Sequence, residues 1–232
     1  MMAIINRLFR DIYIVFLPAF VIEAGFKFFL TLVSRSVQFD MLHVIWIMLA
    51  AFFLIIYSML DQYKLIFTRK EFFYYTTKYS VTSVLFLKLT LYILMNFVFY
   101  LLYAANLNIE ILYKLLSITT FYIFNAAVLI IVKSIFSKKN AGNIYVLLTP
   151  ILMIIIVVSF IYFFYDQMPH FMLGANSMYS AKQMYISIMP LTLFGELRDY
   201  NSVILGSILL NCFLGILGII LFLLCRKCKI NL

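Results

Sequence analysis

The sequence predicts an all-α integral membrane protein with six transmembrane helices. Three observations lead there. Of its 232 residues, 66% are hydrophobic and 12% charged, whereas a soluble domain is closer to half apolar and a quarter charged. Six apolar runs are each long enough to cross a hydrocarbon core about 30 Å thick, which takes about 20 helical residues. Lysine and arginine are also spread unevenly over the connections between those runs, and that bias sets orientation.

The runs fall near 13–33, 41–60, 84–105, 111–135, 144–165 and 202–225. Apolar residues occupy all sides of them, so they read as spanning helices and not as surface helices. In the second run, MLHVIWIMLAAFFLIIYSML, His43 is the sole side chain able to carry charge. Ahead of the first run, MMAIINRLFRDI at 1–12 places Ile4, Ile5, Leu8, Phe9 and Ile12 on one helical face, with Asn6, Arg7, Arg10 and Asp11 opposite. That pattern predicts an N-terminal amphipathic surface helix lying on the membrane before the chain turns into it. A cleaved signal peptide is the rival reading, but Glu23 and Lys27 interrupt the apolar run and no small-x-small cleavage site follows.

With the N-terminus inside, thirteen of the eighteen basic residues fall on the cytoplasmic side: Arg7, Arg10, Lys64, Arg69, Lys70, Lys78, Lys88, Lys133, Lys138, Lys139, Arg226, Lys227 and Lys229. Arg35, Lys114, Lys182 and Arg198 fall outside, and Lys27 lies within the first span. Both termini are therefore expected to be cytoplasmic. The net charge of +9 then belongs to the inner membrane surface, where it meets anionic lipid. It makes no case for nucleic acid.

The outer connections at 34–40 and 106–110 are short, and 166–200 is the longest segment outside the spans. Within it MYISIMPLTLF at 184–194 is too short to cross, and is expected to re-enter the outer leaflet or pack on top of the bundle. The same segment holds Met168, Met172, Met178, Met184 and Met189. Flexible thioethers suit varied apolar partners; a copper site would want M-x-M or M-x-x-M spacing, which is missing. No internal repeat or low-complexity linker divides the chain, so residues 1–232 read as a single transmembrane domain.

Catalytic signatures are missing from the sequence. There is no G-x-x-x-x-G-K-[ST] to cradle phosphates, no H-E-x-x-H and no G-x-S-x-G. His43 and His170 have no evident ligand partners, and no metal site is expected. Cys225 and Cys228 form C-R-K-C, and without a second pair they read as two reduced thiols at a helix end.

The segment QYKLIFTRKEFFYYTTKYSVTSVLFLKLT, 62–90, is longer and more aromatic than a tether needs. At 100° per residue Phe72, Tyr75 and Tyr79 share one face, while Arg69, Phe73, Thr77 and Ser80 fall along another. Two readings compete. Tyr and Phe sit in the headgroup belt while Lys and Arg bind lipid phosphate, or the helix tip enters a groove on a cytoplasmic partner.

Six spans, a surface helix, a basic-aromatic segment after the second span and a long outer segment before the sixth together resemble the ABC transporter permeases of type 2, the type V exporter fold. The local likeness lies in Arg69, Lys70 and Glu71, then Tyr79, Ser80, Val81, Thr82 and Ser83, then Lys88. The proline-rich turn common in that family is missing here. The resemblance implies a chain without its own nucleotide site or cofactor. It would pair with a second copy or a related permease and dock a separate cytoplasmic ATPase subunit that holds ATP and Mg. The family's coupling helix would fall on 68–80, giving Arg69, Lys70, Glu71, Phe72, Phe73, Tyr74, Tyr75 and Lys78 the docking role. Lys138 and Lys139, in the loop SKKNAGN at 137–143, would add a lesser contact. The richness in Ile, Phe, Tyr, Lys and Asn resembles an AT-rich Gram-positive genome, and similar small permeases there export amphipathic or antimicrobial peptides or confer immunity to them. Lantibiotic-immunity and phenol-soluble-modulin exporters are the systems it resembles, which implies a bacterial cytoplasmic membrane.

Inside the spans, Glu23 and Lys27 are spaced i, i+4 for a local ion pair. They read either as a neutralised pair at a helix contact or as the lining of a substrate path. Asn96, Asn125 and Asn211 are expected to bond across neighbouring helices. Ser207, Asn211, Gly215 and Gly218 make a small-residue packing stripe in the last span. Two other functional classes stay open: a stand-alone six-helix carrier or vitamin-binding membrane subunit, and a membrane sensor or scaffold that transports nothing.

Overall fold

The structure, a computed structural model, describes residues 2–32, 37–68, 81–104, 109–136, 141–164, 183–188, 191–196 and 200–227. Its elements are α1 (Met2–Leu32), α2 (Val37–Tyr63) running into a π-helical turn (Lys64–Thr68), α3 (Val81–Ala104), α4 (Ile109–Ile135), α5 (Ala141–Phe163), β1 (Gln183–Ile188), β2 (Leu191–Glu196) and α6 (Tyr200–Lys227). Six helices are long and apolar enough to cross a membrane, over Ile5–Phe29, Ile45–Phe67, Ser83–Leu102, Leu112–Ile135, Ala141–Phe163 and Ser202–Leu224. Their outward faces are apolar, as with Val21, Phe28, Phe52, Leu94, Ile154 and Phe213. Apolar faces of this kind suit lipid, and the chain is a multi-pass membrane protein by length and composition. The chain forms two compact units, one up to Leu112 and one from Tyr113 onward.

In the first unit, α1 corrects the expected division at its start. No separate surface helix precedes the span, because the helix is continuous from Met2 to Leu32. The reason is one buried stripe that runs through the supposed boundary. Leu8, Ile12, Phe16, Ala19 and Glu23, spaced four, four, three and four residues apart, are all buried, so the first turns belong to the same packed face as the rest. That face meets α3, where the Phe16 ring lies 6.3 Å from Tyr92 and Phe20 lies 6.2 Å from Phe99. On α2, Ile47, Ala50, Leu54, Ser58, Gln62 and Leu65 form a second buried stripe. It continues into the π turn, where Leu65 and Ile66 are buried and the Tyr63 and Phe67 rings lie 5.1 Å apart.

In the second unit, α4 carries a broad buried face from Tyr113 to Val132. The stripe of α6 expected from the sequence, Ser207, Asn211, Gly215 and Gly218, meets it. Ser207 hydrogen-bonds the Tyr113 hydroxyl, and the Thr120 hydroxyl donates to the Asn211 carbonyl at 3.0 Å. A methyl placed on Gly215 would touch Thr120, and one on Gly218 would come within 2.9 Å of Ile123 and 3.4 Å of its backbone. Gly218 thus permits a close approach of two helix backbones, the usual means by which helices associate where lipid removes the hydrophobic drive. From α5 the Tyr145 hydroxyl donates to Asn125 at 2.6 Å. Phe160 packs with Val203 and Leu210, and the Phe164 ring covers Gly206 so closely that any side chain there would overlap it.

The expected cross-helix role of the asparagines holds for Asn125, which accepts from Tyr145 of α5. The amides of Asn96 and Asn211 donate one turn back along their own helices, to the Tyr92 and Ser207 carbonyls at 2.8 and 2.9 Å. Most of the apolar stretch at 184–194 folds as an antiparallel hairpin, β1 pairing with β2 from Gln183↔Glu196 to Ile188↔Leu191, and β1 packs against α6. Tyr185, Ile186 and Ile188 before Met-Pro, then Leu-Thr-Leu-Phe after it, are strand-forming residues around a breaker.

The two glycine environments set a contrast. Gly218→Ala should destabilise the detergent-solubilised protein by about 1–2 kcal/mol, the cost of overpacking a close contact. Gly25 has open space around it, so Gly25→Ala should be neutral or stabilise by about 0.5–1 kcal/mol through helix propensity. Unfolding curves in mixed micelles measure both, and equal effects would contradict the close approach of α6 to α4.

Candidate functional site

Ionisable groups buried among apolar helices are the natural starting point, since they are costly there and mark functional positions. In the first unit α2 carries one near each end, and each is met from a different helix.

Near the end of α2 is Asp61. The Lys88 ammonium, from α3 and almost fully buried, donates to both of its carboxylate oxygens at 3.0 and 2.9 Å. Tyr92, one helical turn beyond Lys88 and wholly buried, donates its hydroxyl to the same carboxylate at 2.6 Å. Spacing i, i+4 puts both donors on one face of α3, so one carboxylate is gripped from two points on the neighbouring helix. Three charge-assisted bonds at these lengths are strong and directional. Burial of the pair returns little net stability, yet removal of either partner strands a charge, at about 3–5 kcal/mol.

Near the start of α2, the His43 Nε2 lies 2.9 Å from Glu23 Oε1 of α1. The other Glu23 oxygen and the Trp46 Nε1 are buried and have no hydrogen-bond partner among the described residues. The Phe26 ring stacks on His43 at 5.2 Å and on Trp46 at 6.4 Å, with Phe39 5.5 Å away. His43 and Asp61 are eighteen residues apart, so the two ion pairs are separated by about 27 Å along α2.

His43 is a partner that the i, i+4 spacing of Glu23 and Lys27 did not suggest. Glu23 points to a residue of another helix, and Lys27, one turn on, is half-buried. Glu23 also lies six residues beyond the midpoint of the apolar window Ile5–Phe29, about 9 Å toward its end, and not at mid-span. Arg69, Lys70, Glu71, Phe72, Phe73, Tyr74, Tyr75 and Lys78 lie outside the described residues, as do Lys138 and Lys139. Among the described residues, no cluster of three His, Cys, Asp or Glu side chains stands ready to hold a metal ion. Cys212 is a free, half-buried thiol.

Sequence reasoning passed over Asp61 and Tyr92, and took Lys88 as a cytoplasmic cation and a part of the family likeness, not as a buried ligand of Asp61. A signal was present. Asp61 stands eight residues before 69 and Lys88 eight residues after 80, so opposite charges flank one helix–helix connection symmetrically, at the same height in an antiparallel pair. Comparison with known protein families, characterised proteins and solved structures yields no match to this chain.

Because Glu23 and His43 depend on one another, a double-mutant cycle should expose coupling. Glu23→Gln and His43→Ala together should cost less than the sum of the two singles by about 0.5–2 kcal/mol in detergent unfolding. Strict additivity would contradict the pair.

Proposed function

We propose that this chain is the membrane-spanning subunit of an ATP-driven exporter of the type 2 ABC permease kind. In this reading both termini face the cytoplasm, the chain sits in a bacterial cytoplasmic membrane, and it pairs with a second copy or a related permease. Residues 68–80 engage a separate ATPase subunit that holds ATP and Mg, with Lys138 and Lys139 as a lesser contact. The outer segment that carries the β-hairpin lies at or within the outer leaflet. The cargo is an amphipathic or antimicrobial peptide, exported from the cell or cleared from the membrane.

One observation carries the reading. A basic-aromatic segment joins the second and third of six spans, and directly beside it α2 and α3 are bound to each other through Asp61, Lys88 and Tyr92. A loop that merely floated on lipid headgroups would not call for a three-bond ionic lock between its two flanking helices. A contact that receives force would. Positive-inside bias supports the orientation, and the aromatic and arginine content of 69–80 suits a small, tight protein contact.

The buried Glu23–His43 pair favours a second reading, a stand-alone carrier, because ionisable pairs inside spans also line transport paths. The two readings part on the ATPase. If residues 68–80 dock one, Arg69→Ala with Phe73→Ala should release it from the solubilised complex without lowering the amount of this chain in the membrane. Undiminished co-purification of the ATPase with the double variant would contradict that docking site.

A further inference from the structure

Asp61, Lys88 and Tyr92 hold more than a stability role explains. We infer that these three positioning residues form a clamp that makes the adjoining ends of α2 and α3 move as one body when a load arrives between them; the source of that load rests on the exporter reading, the clamp itself on the geometry.

A single monodentate hydrogen bond lets two helices pivot about it. Here both oxygens of Asp61 are engaged by Lys88 and one of them also by Tyr92, and the two donors sit a full turn apart on α3. Pivoting about the contact would break at least one bond, and sliding by one turn would break all three. The need for such a device is local. Three residues after Asp61 the α-helix widens into the π turn Lys64–Thr68, and π turns are rare overall and frequent at functional sites. Without a tie on the α2 side of that turn, a push arriving from beyond Thr68 would be absorbed there as a change of winding. With it, the push passes into both helices. Leu65 and Ile66, fully buried within the turn, add apolar packing but no direction. The ionic grip supplies direction, which is the attested use of buried charge pairs whose net energy is small.

The test uses the full chain in nanodiscs of phosphatidylglycerol and phosphatidylethanolamine, with Cys212→Ala, Cys225→Ser and Cys228→Ser as background. Spin labels at Lys64→Cys and Ser83→Cys, both on exposed positions, report the separation of the two helix ends. The parent should give one narrow distance distribution. Asp61→Asn and Lys88→Met should broaden it, Tyr92→Phe should broaden it less, and Asp61→Lys with Lys88→Asp should narrow it again. Tyr92→Phe and the charge swap preserve the test if a single charge variant fails to assemble, which gel filtration reveals. Parent-like distributions in every variant would overturn the clamp.

A second arm separates this inference from the exporter reading. With a co-purified ATPase subunit present, ATP should shift the parent's label distance, and Asp61→Asn should keep the ATPase bound while reducing the ATP-dependent shift about tenfold. If the variants broaden the distribution but no ATPase accompanies any form of the chain, the exporter reading falls and the clamp stands. If ATP shifts parent and Asp61→Asn alike, the clamp is overturned and the exporter reading stands.

Discussion

Buried polarity governs this molecule. A helix surrounded by hydrocarbon gains nothing from hiding apolar side chains against another helix, because lipid is equally apolar. What does bind helices together is a polar group whose partner lies on a neighbour, or a gap small enough for backbones to approach. The first unit uses charge, through Glu23–His43 near one end of α2 and Asp61–Lys88–Tyr92 near the other. The second uses hydroxyls, amides and glycines, through Tyr113–Ser207, Thr120–Asn211, Tyr145–Asn125 and the approach at Gly218. Apolar packing, such as Phe16 on Tyr92 or Phe160 on Val203, fills the space that those contacts define.

Ion pairs of this kind do little for net stability and much for register. A buried Asp–Lys pair barely recovers its desolvation cost, whereas a one-turn slip of α3 on α2 would leave two charges stranded. The grip on Asp61 therefore selects one alignment of the helices on either side of the 69–80 connection. Its neighbour, the π turn, is where a helix most easily changes winding. A rigid tie beside a deformable turn is an arrangement suited to passing motion from a cytoplasmic partner into spanning helices, which is the task the exporter reading assigns to this end of the molecule.

Much of the fold was legible in the sequence, and the misses have physical causes. Six spans follow from apolar length alone, and five of them begin within about five residues of expectation. The first differs because the amphipathic pattern of residues 1–12 could serve a membrane surface or another helix, and Leu8 and Ile12 turn out to continue the buried stripe of Phe16. That the run at 183–196 forms strands went unforeseen, because it was judged by apolar length and not by the strand propensity of Tyr185, Ile186 and Ile188. Partners of buried charges were the least legible part. Spacing within one helix suggested Lys27 for Glu23 and gave no sign of His43, which bonds Glu23 from twenty residues away on another helix. Local periodicity sees neighbours along a helix. Partners across a helical hairpin appear only when charges are compared at equal distance from the connection, as Asp61 and Lys88 stand.

The central claim, that this chain is driven by a separate ATPase, is most directly tested by tagging it in its native membrane, solubilising it gently and identifying the proteins that accompany it. The account predicts a stoichiometric nucleotide-binding subunit. A chain that arrives alone across a range of mild detergents would contradict it.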